Sequence, residues 1–193
     1  MLASGSTHDV TNQPPPIAPY NVFQADLPLR EALEREGAGW GVDRLRDTGE
    51  LAGSPEALEH SERAERNEPR LRTHDRYGNR VDEVELDPSW HWCLRQAIER
   101  EIHCLPWRDP QPGAHVVRAA LMYTWSQVSS GVMCPVSMTY SVVPALREEP
   151  ELAAEWEPRI TKPSYEDGAL AGMAMTEKQG GSDVRANTTR AEP

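Results

Sequence analysis

Apolar residues recur every three or four positions over much of the first 160 residues, a spacing that predicts amphipathic helices. Asp26 before Leu27-Pro28 is a typical helix start and Gly37 a typical stop, and Ser54-Pro55 begins another helix in the same way. The pattern predicts helices from residue 26 to 37, 43 to 51, 54 to 67, 87 to 105, 113 to 128, 133 to 146 and 150 to 160.

Two stretches follow a different pattern. Residues 71–86 alternate polar and apolar positions around Gly78-Asn79, which predicts a short hairpin or an extended loop. Residues 169–175, ALAGMAM, are small and uncharged, with Gly172 inside them, and this favours a buried strand over a helix. The chain is therefore expected to be mainly helical up to about residue 170.

The run from Met133 to Leu146, MCPVSMTYSVVPAL, carries no charged side chain. Such a run is typical of a buried helix or of the lining of a pocket. Pro135 fits the first turn of a helix, and Pro144 is expected to kink or end it.

Composition and charge narrow the classes of function. The 193 residues are 38% hydrophobic and 26% charged, which is typical of a globular protein, and no apolar run approaches the length of a membrane span. The net charge of −11 repels phosphate backbones, so this chain is a poor candidate for a nucleic-acid surface. The arginines between residues 63 and 80 alternate with acids and predict a solvated surface of mixed charge.

The cysteines and the N-terminus indicate a reducing, cytoplasmic setting. Cys93, Cys104 and Cys134 are an odd number without a CxxC pair, which argues against a disulfide framework and a structural zinc site. His91 with Cys93, or His103 with Cys104, could be imagined as metal ligands, but we expect helix-face residues with buried thiols instead. Residues 1–20 have no basic start or apolar core of a secretion signal, and their composition predicts a flexible tail.

The stretch AMTEKQGGSDVRANTT, residues 174–189, carries the candidate chemistry. Gly180 and Gly181 allow a ligand to approach the backbone, and exposed N–H groups in such a turn can bind phosphate oxygens. Thr176 and Ser182 add hydroxyl donors, a combination suited to a flavin or a nucleotide. From the residues alone, an ordinary tight turn between strands remains an open alternative, because neither a Walker loop nor GxGxxG is present.

The same stretch resembles the flavin-binding signature of the acyl-CoA dehydrogenase family, T-E-x-x-x-G-S-D followed by a threonine. Lys178-Gln179-Gly180 stand where most members have a proline after the glutamate, and this variant resembles the AidB-like branch of the family. Further segments agree with that branch: REGAGW (35–40), YGNR (77–80), PSWH (88–91) and CPVSMT (134–139).

The resemblance implies a subunit with an N-terminal helical domain, a middle β domain and a C-terminal helical bundle. It implies a tail over 1–20, the helical domain over 21–168, and the first strand and turn of a truncated β domain over 169–193. The chain would then be about a third of a family member.

The resemblance also implies roles for the residues around the turn. FAD would be bound by Met173, Ala174, Met175, Thr176, Gly180, Gly181 and Ser182. Thr176 would contact the flavin ring, and Ser182 the phosphates or the pantetheine of the substrate. Glu177 and Asp183 are expected to bond the N–H groups of the turn itself. Met133 to Thr139 would either face the flavin or acyl pocket or belong to the core.

The implied activity is α,β-dehydrogenation of an acyl-CoA, with hydride transfer to FAD and reoxidation by an electron-transfer partner. The family's general-base glutamate belongs to the C-terminal bundle, so no catalytic residue is assigned here and this chain alone is expected to be inactive. The alternative is an alkylation-response protein that binds DNA through its missing C-terminal domain. A helical interaction module without activity is a third possibility. A tetramer is implied for the full-length protein.

Overall fold

The computed structural model describes residues 7, 9–190 and 192. Within these ranges the fold is a helical body with one small sheet, followed by a segment that has no regular strand or α-helix. The α-helices are Val22–Ala25 (α1), Leu27–Arg35 (α2), Val42–Ala52 (α3), Pro55–Arg66 (α4), Pro88–Glu99 (α5), Leu105–Arg108 (α6), Ala114–Ser126 (α7), Met133–Leu146 (α8) and Pro150–Ile160 (α9). The strands are Arg70–His74 (β1) and Arg80–Glu85 (β2), and single 3₁₀ turns lie at Gly39–Gly41, Ser130–Val132 and Val184–Ala186.

The helix starts that the sequence predicts are confirmed by their capping hydrogen bonds. The Asp26 carboxylate accepts from the N–H of Leu29 at 2.9 Å, and the Ser54 hydroxyl accepts from the N–H of Ala57 at 3.1 Å. Asp87 caps α5 in the same way. Each cap supplies a partner to an N–H group that has none inside its helix. Helix α1 was not predicted, and the 1–20 tail falls partly outside the described residues.

The predicted end of α5 is wrong. The helix stops at Glu99, because Glu101 takes a left-handed conformation with φ of 61°. The N–H of Glu101 bonds to the carbonyl of Ile98, and the N–H of Ile102 to that of Ala97, which is the Schellman arrangement. Pro106 therefore lies in the first turn of the short helix α6 instead of ending a long one.

The predicted hairpin is confirmed as an antiparallel pair of strands with Leu71 opposite Val84. At its turn, the carboxylate of Asp75 accepts hydrogen bonds from the N–H groups of Tyr77 and Asn79. Every residue of both strands is exposed, and Arg72 pairs with acidic side chains of β2. The surface of mixed charge predicted for this region is thus confirmed here.

The core lies where α5 and α7 pack together with α3 and the turn before α8. Trp125 of α7 is fully buried, and its indole N–H donates to the carbonyl of Cys93 in α5 at 3.1 Å. The REGAGW motif joins this core from the other side: Trp40 donates to the carbonyl of Pro112, in the loop before α7. These contacts fix α7, and with it the neighbouring α8.

Helix α8 continues through Pro144 to Leu146. A proline has no N–H, so the carbonyl of Tyr140 lacks its usual partner four residues on. That carbonyl instead accepts the indole N–H of Trp107 in α6 at 2.9 Å, and the two rings stack with centroids 5.1 Å apart. Pro144 therefore links α8 to α6 and does not end the helix at its own position.

The strand predicted over 169–175 is not formed. These residues have no assigned regular structure, and Leu170, Met173 and Met175 are about half exposed or more. A strand needs a hydrogen-bonding neighbour, and in the described part of the chain the sheet consists of β1 and β2 alone. No described helix is long and apolar enough to cross a membrane.

Candidate functional site

The segment of residues 170–190 leaves the helical body beside α8. Ala169 still bonds to the body, with its N–H donating to the carbonyl of Arg159 at the end of α9. The N–H of Ala171 then donates to the hydroxyl of Thr139, in the middle of α8, at 3.0 Å. The start of the predicted cofactor segment therefore lies against the uncharged helix that the sequence singled out.

The loop that contains Tyr165 and Glu166, just before this segment, packs against α5. The Tyr165 hydroxyl lies 2.5 Å from Nδ1 of His91, and Arg95 pairs with Glu166 at 2.5 Å. The guanidinium of Arg95 also lies over the Tyr165 ring, 4.5 Å from its centroid. Burial raises the pKa of Tyr165, so its hydroxyl stays protonated. These contacts fix the point from which the segment departs.

Within the segment, Glu177 organises the turn. Its carboxylate accepts from the N–H of Thr188 at 2.6 Å and from the N–H of Thr189. The hydrogen bonds from Thr189, more than those from Thr188, lower the pKa of Glu177. Its carbonyl accepts from the N–H of Gly180. The structural role expected for Glu177 is confirmed, whereas Asp183 contributes its backbone carbonyl and no side-chain bond among the described residues.

The structure divides the predicted cofactor residues into two groups. Gly180 belongs to the folded turn, where an added Cβ would lie 3.2 Å from the carbonyl oxygen of Glu177. All seven are exposed, and in the described part of the chain the side chains of the others have no hydrogen-bond partner: Met173, Ala174, Met175, Thr176 and Ser182, together with the bare backbone of Gly181. Part of the turn is therefore held by hydrogen bonds to Glu177, and the rest is exposed without such bonds.

Helix α8 lies beside the departing segment, and both α8 and its neighbour α7 are almost free of charge. Arg118, the one charged residue of α7, is buried, and α8 has none. Side-chain contacts join the helices, since the Ser137 hydroxyl donates to the sulfur of Met122 and the Arg118 guanidinium lies 4.0 Å from the Tyr140 ring centroid. The exposed positions of these helices include no Asp, Glu, Lys or Arg: His115, Ala119, Tyr123, Cys134, Ser141, Pro144 and Ala145.

The core alternative for Met133 to Thr139 is confirmed for one face of α8, and the flavin or acyl pocket alternative stays a prediction. Met133, Val136 and Thr139 are buried in the body, while Cys134 is exposed and Met138 is half-buried. The helix is thus core on one face and an open surface on the other.

Sequence reasoning took His103 for a helix-face residue and did not predict that it is buried beside the site. His103 is 1% exposed, and its Nε2 lies 3.2 Å from the carbonyl of Lys162, so Nε2 carries the proton and Nδ1 has no partner in the described structure. Burial lowers the pKa of His103 to about 4. The ring borders a cavity of 210 Å³ lined also by Tyr165 and Leu170. A lone histidine gives no periodic signal by which it could have been found.

Comparison with known proteins identifies the family of the helical body. Residues 12–167 match the model of the adaptive response protein AidB N-terminal domain. The chain belongs to the AidB N-terminal domain family.

Two curated relatives carry the acyl-CoA dehydrogenase name. The chain is 40% identical to the putative acyl-CoA dehydrogenase AidB of Escherichia coli K12 over 197 residues, covering 96% of this chain and 36% of that protein. It is 30% identical to acyl-CoA dehydrogenase family member 11 of Caenorhabditis elegans over 135 residues, covering 66% of this chain and 22% of that protein. This AidB-family chain thus spans about a third or less of the curated relatives it matches.

Solved structures resemble the fold over the same region. Bd2924 in its apo form superimposes with a TM-score of 0.79 at 27% identity, covering 86% of this chain and 34% of that one. Caenorhabditis elegans ACDH-11 in complex with C11-CoA superimposes with a TM-score of 0.78 at 26% identity, covering 93% and 32%. The mainly helical fold expected from the resemblance is confirmed.

Proposed function

We propose that this chain is the N-terminal part of an FAD-dependent oxidoreductase that dehydrogenates an acyl-CoA thioester between its α and β carbons. Its own contribution is a wall of the flavin and acyl site. The turn of residues 173–182 would bind the flavin, and the neutral surface of α7 and α8 would lie against the apolar part of the ligands.

The observation that carries this proposal is that some polar groups of the turn bond to one another while others remain exposed and free to bind a ligand. Glu177 takes up the N–H groups of Thr188 and Thr189, yet the hydroxyl of Thr176 remains exposed without a partner among the described residues. At Gly181 no atom lies within 4 Å of an added Cβ. Free hydroxyl and amide donors beside open backbone fit the polar edge of a flavin and the oxygens of its pyrophosphate.

When bound, FAD supplies the hydride acceptor. The residues of this chain would bind and orient: Thr176 would donate a hydrogen bond to the ring, and Ser182 would bind the phosphates or the pantetheine. The neutral exposed side chains of α7 and α8 would exclude water from the acyl chain. The C11-CoA bound to the Caenorhabditis elegans relative supports the substrate class. No general base is assigned to this chain.

Thr176→Val tests the cofactor site in the full-length gene product. We expect the flavin Kd to rise about fivefold, because one hydrogen bond of about 1 kcal/mol is lost without a change of volume. Thr73→Val, on the exposed hairpin, is the matched control and should leave the Kd within twofold. Flavin fluorescence titration measures both, and an unchanged Kd in Thr176→Val would count against the proposal.

The 193-residue chain by itself should bind FAD weakly and should not turn over acyl-CoA, because an open surface buries a small part of a flavin. Equilibrium titration should give a Kd above the micromolar range. Stoichiometric binding below one micromolar would contradict this expectation.

A second candidate function is a role in the response to DNA alkylation, which is favoured by the match to the adaptive response protein AidB. In that case DNA would contact a part of the protein outside this chain, in keeping with the charge of −11 here. Salt-dependent DNA binding by the full-length protein, with no flavin reduction by acyl-CoA, would favour this second function. A cytoplasmic location, an electron-transfer partner and a tetrameric full-length protein complete the proposal.

A further inference from the structure

We propose that the hydroxyl of Thr139 is a positioning group that sets where the flavin-binding turn lies relative to α8. This inference rests on the function proposed above, because it assigns to Thr139 an effect on a flavin that the turn would bind. Thr139 would not touch the reacting atoms. It would act through the backbone of Ala171.

The hydroxyl uses both of its hydrogen-bonding capacities. Thr139 is fully buried, and its O–H donates to the carbonyl of Pro135, one turn earlier in α8, at 2.7 Å. With the proton committed there, the oxygen accepts the N–H of Ala171 at 3.0 Å. The bond within the helix fixes the orientation of the hydroxyl, so the acceptor is aimed at the departing segment before that segment docks.

The hydrogen bond between Thr139 and Ala171 has no counterpart elsewhere in the described part of the segment. In the described part of the chain, it is the single hydrogen bond or ion pair between residues 170–190 and the helical body. The other hydrogen bonds of the segment, such as those of Glu177 and Asn187, are internal to it. Without the Thr139 bond, the nearest polar anchor would be Ala169 on Arg159, two residues further back.

The distance along the chain makes this anchor effective. Ala171 precedes Met173 by two residues and Thr176 by five. An extended chain reaches at most about 3.5 Å per residue, so the anchor confines Thr176 to within roughly 17 Å of Ala171. Moving the anchor back to Ala169 adds roughly 7 Å to that reach. Flavin contacts by Thr176 would then have to order a longer free segment, at an entropic cost.

Two other buried threonines show what the hydroxyl of Thr139 adds. Thr48 of α3 donates to the carbonyl of Arg44 in its own helix at 2.8 Å and bonds to no other element, and Thr124 of α7 has no partner among the described residues. A hydroxyl bonded four residues back within its helix is common and has a local effect. Thr139 makes the same local bond and a second one that leaves the helix.

The test compares Thr139→Val, Thr139→Ser and Thr48→Val in the full-length gene product. Valine keeps the shape and removes the hydroxyl, serine keeps the hydroxyl, and Thr48→Val removes a buried hydroxyl with the local bond alone. We expect Thr139→Val to raise the flavin Kd about tenfold, Thr139→Ser to restore it to within twofold, and Thr48→Val to leave it unchanged. The exchange rate of the Ala171 amide in the flavin-free protein is the second measurement, and it should rise about tenfold in Thr139→Val alone.

Each outcome decides a different point. An unchanged Ala171 exchange rate in Thr139→Val would show that the anchor is not the hydroxyl. Faster exchange with an unchanged Kd would show that the anchor does not position the flavin, and either result overturns the inference. If Thr176→Val also leaves the flavin Kd unchanged, the proposed function fails as well. Should Thr139→Val not fold, Thr139→Ala is compared with Thr48→Ala in the same two measurements.

Discussion

At the scale of single residues, burial sets the pKa values of one histidine and two cysteines inside the helical body. His103 lies inside the body with Nε2 on the carbonyl of Lys162, and burial outweighs the nearby Glu101 in setting its pKa to about 4. Burial likewise raises the pKa of Cys93 to about 11 and that of Cys104 to about 12. The expectation of buried thiols is confirmed for these two, and Cys134 is exposed.

His103 should make stability depend on pH. In the folded protein it takes up its proton near pH 4, whereas in the unfolded chain it does so near 6.5. Between these values the unfolded state binds more protons, so the stability from this group is full above pH 6.5 and is lost as the pH falls towards 4. The loss should be roughly 3 kcal/mol.

The measurement is the free energy of unfolding by urea at several pH values. His103→Gln keeps an N–H donor for Lys162 and does not titrate, so the difference between wild type and variant should shrink as the pH falls through this window. His74→Gln, on the exposed hairpin, is the control and should run parallel to the wild type. A parallel curve for His103→Gln as well would rule out a depressed pKa at this site.

At the scale of elements, close packing of α1 on α3 depends on two glycines one helical turn apart. An added Cβ at Gly49 would lie 2.5 Å from the side-chain oxygen of Asn21, and one at Gly53 would lie 1.8 Å from the carbonyl oxygen of Tyr20. The N–H of Tyr20 also donates a hydrogen bond to the carbonyl of Gly53, which holds the residues before α1 against the end of α3. The approach of these backbones leaves no room for a side chain.

Gly53→Ala should therefore cost about 3 kcal/mol, because Tyr20 must move away from α3 and its hydrogen bond must lengthen. Gly39→Ala is the matched control, since nothing lies within 4 Å of its added Cβ, and it should change stability by less than about 0.5 kcal/mol. Thermal and urea unfolding measure both. Equal stability of the two variants would mean that α1 does not rest on α3 as described.

The elements also show how far the sequence could predict the fold. Helix starts were predictable because Asp26, Ser54 and Asp87 act through local bonds to their own helices. The end of α5 was not predictable, because Glu101 takes the left-handed conformation that a glycine usually takes at the end of a helix. The Glu101 carboxylate bonds to Arg44 at 2.5 Å and to Arg108 at 3.1 Å, and these distant partners cannot be inferred from local pattern.

The residues of the candidate site could be predicted from the sequence, but the contacts that bring them together could not. The residues of the turn and the uncharged helix were both visible in the sequence, and the brace by Glu177 followed from the proximity of an acid to a tight turn. The contact between Thr139 and Ala171 joins residues far apart in sequence, so no periodicity indicates it. The strand predicted over 169–175 failed for the same reason, because strand formation depends on a partner.

At the scale of the whole molecule, a firmly packed helical body carries a lightly attached segment. The body makes its contacts among α1 to α9, while the segment of residues 170–190 is mostly exposed. Regions with few buried contacts open at low free energy and are cleaved first by proteases. The site proposed here is thus built from one stable and one weakly held component.

Brief trypsin digestion of the 193-residue chain should cut first at Lys178 and Arg185, which are both exposed in this segment. Sites within the helices, such as Arg95 and Arg118, should survive because those helices must unfold before cleavage. Mass spectrometry of the earliest fragments measures the order. First cuts within α5 or α7 would show that the helical body is the weaker part.

The carbonyl of Tyr140, released by Pro144 and taken up by Trp107, has an evolutionary consequence. If Trp107 alone is replaced, the carbonyl oxygen of Tyr140 loses its hydrogen-bond donor. If Pro144 is replaced by a residue with an N–H, that N–H becomes a new donor to the same oxygen inside the helix. The two positions should therefore show epistasis: a substitution of Trp107 is better tolerated in a lineage that has already lost the proline. Related chains should accordingly keep or exchange this tryptophan and this proline as a pair.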